Sequence, residues 1–110
     1  MKGYFHLASN DAGRFTFNLK AGNHEVILTS QVYQSKQDAL AGIESVRINS
    51  SEDSRFQRKT AKDDSPYFVL LAGNGQTIGK SEMYSSTAAM ETGIKSVIAN
   101  GASTFVKGLD

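Results

Sequence analysis

Cysteine and tryptophan are absent from this 110-residue sequence, proline occurs once, histidine twice, and no apolar run approaches the length of a membrane span. Without cysteine there is no disulfide, no thiolate nucleophile and no cysteine metal site. Two histidines are too few for an all-protein transition-metal centre, and neither His6 nor His24 has a Ser, Cys or carboxylate partner at a recognisable catalytic spacing. P-loop, GxGxxG and metal-ligand motifs are missing as well, so neither a catalytic residue nor a metal or other cofactor is expected. Asp63 and Asp64, beside Lys62, read as a solvated turn. The first eleven residues, MKGYFHLASND, hold no apolar stretch of signal-peptide length, and a cytoplasmic location is expected. Twelve Lys and Arg against eleven Asp and Glu leave a formal charge of +1. No global field draws such a chain to nucleic acid or membrane, and any such binding must come from a local patch.

What is present is a repeat. Residues 15–49 match residues 66–100, 51 positions on, at 14 of 35 places without a gap. The match is densest between SQVYQSKQDALAGIESVRIN and SEMYSSTAAMETGIKSVIAN. A half of about fifty residues buries too little apolar surface to stand alone, so the two copies are expected to share one core. The reading is a single domain over residues 1–110, with repeat one at 1–54 and repeat two at 55–110. Because each copy finds its partner within the chain, a monomer is expected.

Phe5 and Leu7 share a face of a first strand, and the alternation Phe15, Phe17, Leu19, Ala21 against Thr16, Asn18, Lys20 marks a second with one buried side. Gly22, Asn23 and His24 supply a turn into a third strand over 25–30; the second copy has Asn74 and Gly75 there, a stronger hairpin signal. Ser35 and Ser86 are helix N-caps, followed by the stripes Ala39, Ile43, Val46 and Met90, Ile94, Val97 at i, i+4 and i+7. Asn49, Asn100 and Gly101 suit left-handed helix stops. At the 51-residue offset Phe56 falls on Phe5, so one linking strand both ends the first copy and begins the second, and residues 104–106 end the second. The lone Pro66 opens a strand, where its missing N–H costs little.

These residues resemble the repeat of the YegP-like family of small bacterial proteins. The points of resemblance are Phe17, Leu19, Ala21, Gly22, Asn23, Ile27, Ser30, Tyr33, Ser35, Gly42, Ile43, Ser45, Val46 and Asn49, and their partners between Phe68 and Asn100. The resemblance implies an α+β fold in which two tandem β-β-β-α-β repeats form one antiparallel sheet, with both helices on one face and terminal strands exchanged. It implies no activity. The copies differ at His24 against Gly75, Val26 against Thr77 and Leu28 against Gly79, which argues against a strictly twofold site.

Two places carry chemistry. One is the start of each helix, where Tyr33 and Ser35, or Tyr84 and Ser86, set hydroxyls beside exposed N–H groups that suit a small anionic ligand. The other is the sheet face away from the helices, with Lys20, Arg55, Gln57, Lys59, Tyr67, Val69 and Leu71 pointing outward. Three apolar residues in a row there mark an interface, for an unknown protein partner first of all. Basic groups interleaved with an aromatic, Arg58 included, also fit single-stranded nucleic acid. A non-enzymatic binding module is the expected function. Gly42 and Gly93, inside helices where Gly costs about 1 kcal/mol relative to Ala, require a close packing neighbour.

Overall fold

The computed structural model describes residues 3–108. Three strands, β1 (Tyr4–Ser9), β2 (Phe15–Lys20) and β3 (Val26–Ser30), lead into helix α1 (Lys36–Asn49). After a short 3-10 turn at Asp53–Arg55, β4 (Phe56–Thr60), β5 (Pro66–Leu71) and β6 (Thr77–Lys80) lead into α2 (Thr87–Asn100), and β7 (Val106–Gly108) follows. All seven strands form one sheet in the order β4-β5-β6-β3-β2-β1-β7. The strand after α1 therefore lies in the second repeat's half, and the strand after α2 lies against β1 of the first. This is the expected exchange. The β1–β7 pair is parallel and the other pairings are antiparallel.

All four hairpins use one turn. Positive φ falls at Gly13, His24, Asp64 and Gly75, each closing a loop whose flanking residues bond backbone to backbone. A short side chain in each loop, Asn10, Asn23, Asp63 or Asn74, accepts a backbone N–H further along the turn. His24 (φ 70) and Asp64 (φ 68) are the non-glycine members of the set, and His24 has a partner of its own. Its Nδ1 shares a hydrogen bond of 2.9 Å with the Tyr4 hydroxyl, which explains an imidazole where the second copy has glycine.

Phe5, Leu7, Phe17, Leu19 and Leu28 from the first copy and Phe56, Phe68, Leu70 and Ile78 from the second join both helical stripes in one buried cluster. The halves thus share a core, as their size requires. Thr29 pairs with Lys80, its own counterpart 51 residues on, so a pseudo-twofold axis passes through that pair. The departures between copies become intelligible at this axis. Leu28 fills the core beside it, and a Cβ on Gly79, the equivalent position, would lie 2.9 Å from Leu28 Cγ and 2.9 Å from the Thr29 carbonyl oxygen. Only one leucine fits. At the helix ends the buried Ser50 stands over its counterpart Gly101, and again the space admits one side chain.

That packing corrects the reading of the helix stops. Asn49 and Asn100 are the last helical residues, each donating from Nδ2 to a carbonyl four residues back, and the caps Ser50 (φ −69) and Gly101 (φ −65) are right-handed. Gly101 is there for room, not for a left-handed turn. The helical glycines face neither the partner helix nor bare sheet. Tyr33 lies across Gly42 with its ring stacked on Phe17 at 6.0 Å, and Tyr84 lies across Gly93 with its ring 6.2 Å from Phe68. A methyl group at either glycine would overlap the tyrosine hydroxyl. Gly42→Ala is expected to lower stability by about 1 kcal/mol, since overpacking of 1–3 kcal/mol outweighs the helix-propensity gain. Denaturant titration checks this, and an unchanged or raised midpoint would show that the ring is not wedged.

Candidate functional site

The hydroxyls of the repeated Ser-x-x-Tyr-x-Ser do not converge. Ser30 Oγ accepts the buried Phe17 N–H at 2.8 Å and donates to the Gln31 carbonyl at 2.7 Å; Ser81 does the same for Phe68 and Glu82 at 3.0 and 2.8 Å. Ser35 and Ser86 cap their helices, each accepting from the N–H three residues on at 3.0 Å. The two tyrosine rings are packing elements. Burial pushes both phenols above their ordinary range, helped by Asp38 beside Tyr33 and by Glu82 and Glu25 near Tyr84. An anion would meet occupied caps and a negative neighbourhood there. Two open clefts related by the pseudo-twofold axis flank these rings. One of 280 Å³ is bordered by Glu25, Glu82 and Tyr84, and one of 360 Å³ by Gln31, Gln76 and Tyr33.

The other sheet face is laid out differently. Cross-strand partners share a face, so a single row can be followed from edge to edge: Lys107, His6, Asn18, Thr29, Lys80, Val69, Gln57. Neighbouring outward positions hold Tyr4 opposite Lys20, and Tyr67 opposite Lys59. Among the described strands no outward ladder position carries Asp or Glu, while Lys20, Lys59, Lys80 and Lys107 all point there. Charges of both signs meet on the helix side instead. Arg58 opposes the buried Phe68 and turns toward α2, where it bonds Glu91 at 2.6 and 2.9 Å and Asp53 at 2.9 Å. Its hydrogen bonds hold the Glu91 carboxyl below the usual range. Arg58 is thus withdrawn from the open face, and Arg55 is paired with Glu52 at 3.3 Å.

Tyr67, Val69 and Leu71 do face outward, yet they form no exposed apolar patch. Val69 is 6% exposed, and Tyr67 and Leu71 are half-buried. Lys80, whose Cα opposes Val69, reaches along the sheet so that its Nζ stands 5.1 Å from the Tyr67 ring centroid. Its stem therefore runs from the Val69 position toward Tyr67, an ordinary use of lysine. Tyr4, only 7% exposed, has Lys107 Nζ at 4.6 Å and Lys20 Nζ at 6.0 Å from its ring centre, with His24 edge-on at 5.8 Å. Each end of the face therefore carries a tyrosine with two lysines. Tyr4, Lys80 and Lys107 were not singled out from sequence; the period-two alternation around Phe5 would have found Tyr4, but only the strand order brings Lys80 and Lys107 to these rings.

The model of a family described as "Domain of unknown function (DUF1508)" matches residues 10–57 and again 61–107. The chain belongs to the DUF1508 family. Curated DUF1508 relatives include a UPF0339 protein of Shewanella oneidensis, 52% identical over 99% of both chains, and the UPF0339 protein YegP of Escherichia coli, 50% identical over 97% of both. Solution NMR structures of UPF0339 proteins from the same two organisms superpose with TM-scores of 0.93 and 0.92, covering 99% and 98% of this chain and 92% and 93% of theirs. One is described as a protein of unknown function, so DUF1508 membership carries the YegP-like fold and leaves the activity open. Among the described residues of this DUF1508 chain no helix is long and apolar enough to cross a membrane.

Proposed function

We propose that the protein is a non-enzymatic interaction module that engages an anionic partner through its open sheet face, as a monomer in the cytoplasm. One observation carries this reading: the outward positions of the described strands hold four lysines and no carboxylate, in a chain whose charges almost cancel. A solubilising surface mixes both signs, whereas single-sign clustering focuses a field that attracts the opposite charge. The acidic residues Glu25 and Glu82 lie beyond the strand ends and act on Tyr84.

Long-chain polyphosphate titrated into isotopically labelled protein is the direct test. Amide shifts are expected along β1, β2, β4, β5 and β6, and Lys59→Ala with Lys80→Ala should weaken binding about tenfold. The exposed Lys95, on α2, serves as control and should leave binding within twofold on Lys95→Ala. Shifts confined to residues 33–38 and 84–89, or no shifts, would contradict the reading.

A further inference from the structure

We infer that the anionic partner is a single-stranded nucleic acid, with its phosphates on the lysines and one base stacked on Tyr67; the inference rests on the reading above. Its warrant is a comparison internal to the chain. Duplication repeats the helix-side core closely: Phe5 with Phe56, Phe17 with Phe68, Leu19 with Leu70, Tyr33 with Tyr84. The open face is not repeated. Where one copy has Tyr4, Lys20, Lys59, Lys80 or Tyr67, the other has Arg55, Leu71, Ala8, Thr29 or Thr16. The two Tyr-and-lysine clusters therefore occupy non-equivalent positions in the two copies. They stand at opposite ends of one face.

An acidic protein would be held by the lysines alone and gives no reason for the half-buried Tyr67 ring beneath Lys80. A base and a phosphate together use both groups, because every base has a π-face that stacks on an aromatic while cations track the backbone. The two clusters stand on β1 and β5, four strand steps apart, or about 19 Å at 4.7–4.9 Å per step. Asn18 and Thr29 lie between them and offer neutral hydrogen-bonding groups. The rings are not equivalent. Tyr4 is closed in by two lysines and His24, and so positions its cations. Tyr67 is half-buried with Lys80 above it, and a phosphate that draws the ammonium aside frees that ring face.

The experiment compares oligouridylate, polyphosphate of equal charge and poly-glutamate, reading affinity and the Tyr67 ring-proton shifts of the unaltered protein. Oligouridylate should bind at least fivefold more tightly than either other probe and move the Tyr67 ring resonances upfield. Tyr67→Ala should weaken oligouridylate about tenfold and leave polyphosphate within twofold, while Tyr67→Phe keeps the wild-type preference. Because the ring shifts are read without a variant, a misfolded Tyr67→Ala does not remove the test. Equal affinity for oligouridylate and polyphosphate with an unmoved Tyr67, or preference for poly-glutamate, overturns the nucleic-acid inference and leaves an anion-binding face. Failure of all three probes overturns both.

Discussion

Gly79→Leu, which makes the second copy repeat the first at the sheet's centre, should cost about 3 kcal/mol or more, a fall in Tm of roughly 12 °C. The Cβ alone would come within 2.9 Å of a backbone oxygen on Thr29 and of Leu28 Cγ, and neither a ladder carbonyl nor a buried leucine can retreat in a packed interior. The pseudo-twofold axis supplies a rescue. In the double variant Leu28→Gly with Gly79→Leu the leucine moves to the equivalent place across the axis, and at least half of the lost stability should return. A Gly79→Leu protein as stable as the parent would show that the axis is not packed as described, and calorimetry decides it.

Ser30→Ala should cost about 2 kcal/mol and Ser81→Ala the same, because each hydroxyl serves a buried strand N–H that would be left without a partner, a loss of 1–3 kcal/mol. The geometry is nearly identical in the two copies: the acceptor distances are 2.8 and 3.0 Å, and each hydroxyl also donates to the next residue's carbonyl. What these serines do is end a strand. They close the ladder where the chain leaves β3 and β6 for the helices. Urea titrations of the single variants should agree within about 0.5 kcal/mol and the double variant should be close to additive. A negligible loss in either would show that its hydroxyl does not hold the strand end.

How legible the molecule was in its sequence varied with how local the deciding interaction is. The duplication, the helical stripes and the Ser35 and Ser86 caps rest on period and on neighbours three or four residues away, and they stand in the structure. The β3 boundary was harder. Val26, Ile27 and Leu28 form an apolar run without a period of two, because a bulge against β2 buries both Ile27 and Leu28. Gly101 resembles a left-handed stop in sequence, but its reason is Ser50, half the chain away. The parallel β7 pairing depends on where α2 delivers the chain, which no local pattern records. On the open face, alternation placed Gln57, Lys59 and Tyr67 outward. It could not show that Arg58 is claimed by Glu91 or that Lys80 stands over Tyr67, since the first depends on how α2 packs on the sheet and the second on strand order.

The most direct measurement is the affinity of oligouridylate for the unaltered protein across salt from 50 to 200 mM. Four lysines meeting four phosphates predict a slope of log K against log salt of about −3 for a single strand. A slope near zero would contradict an anion-binding sheet face whatever the affinity.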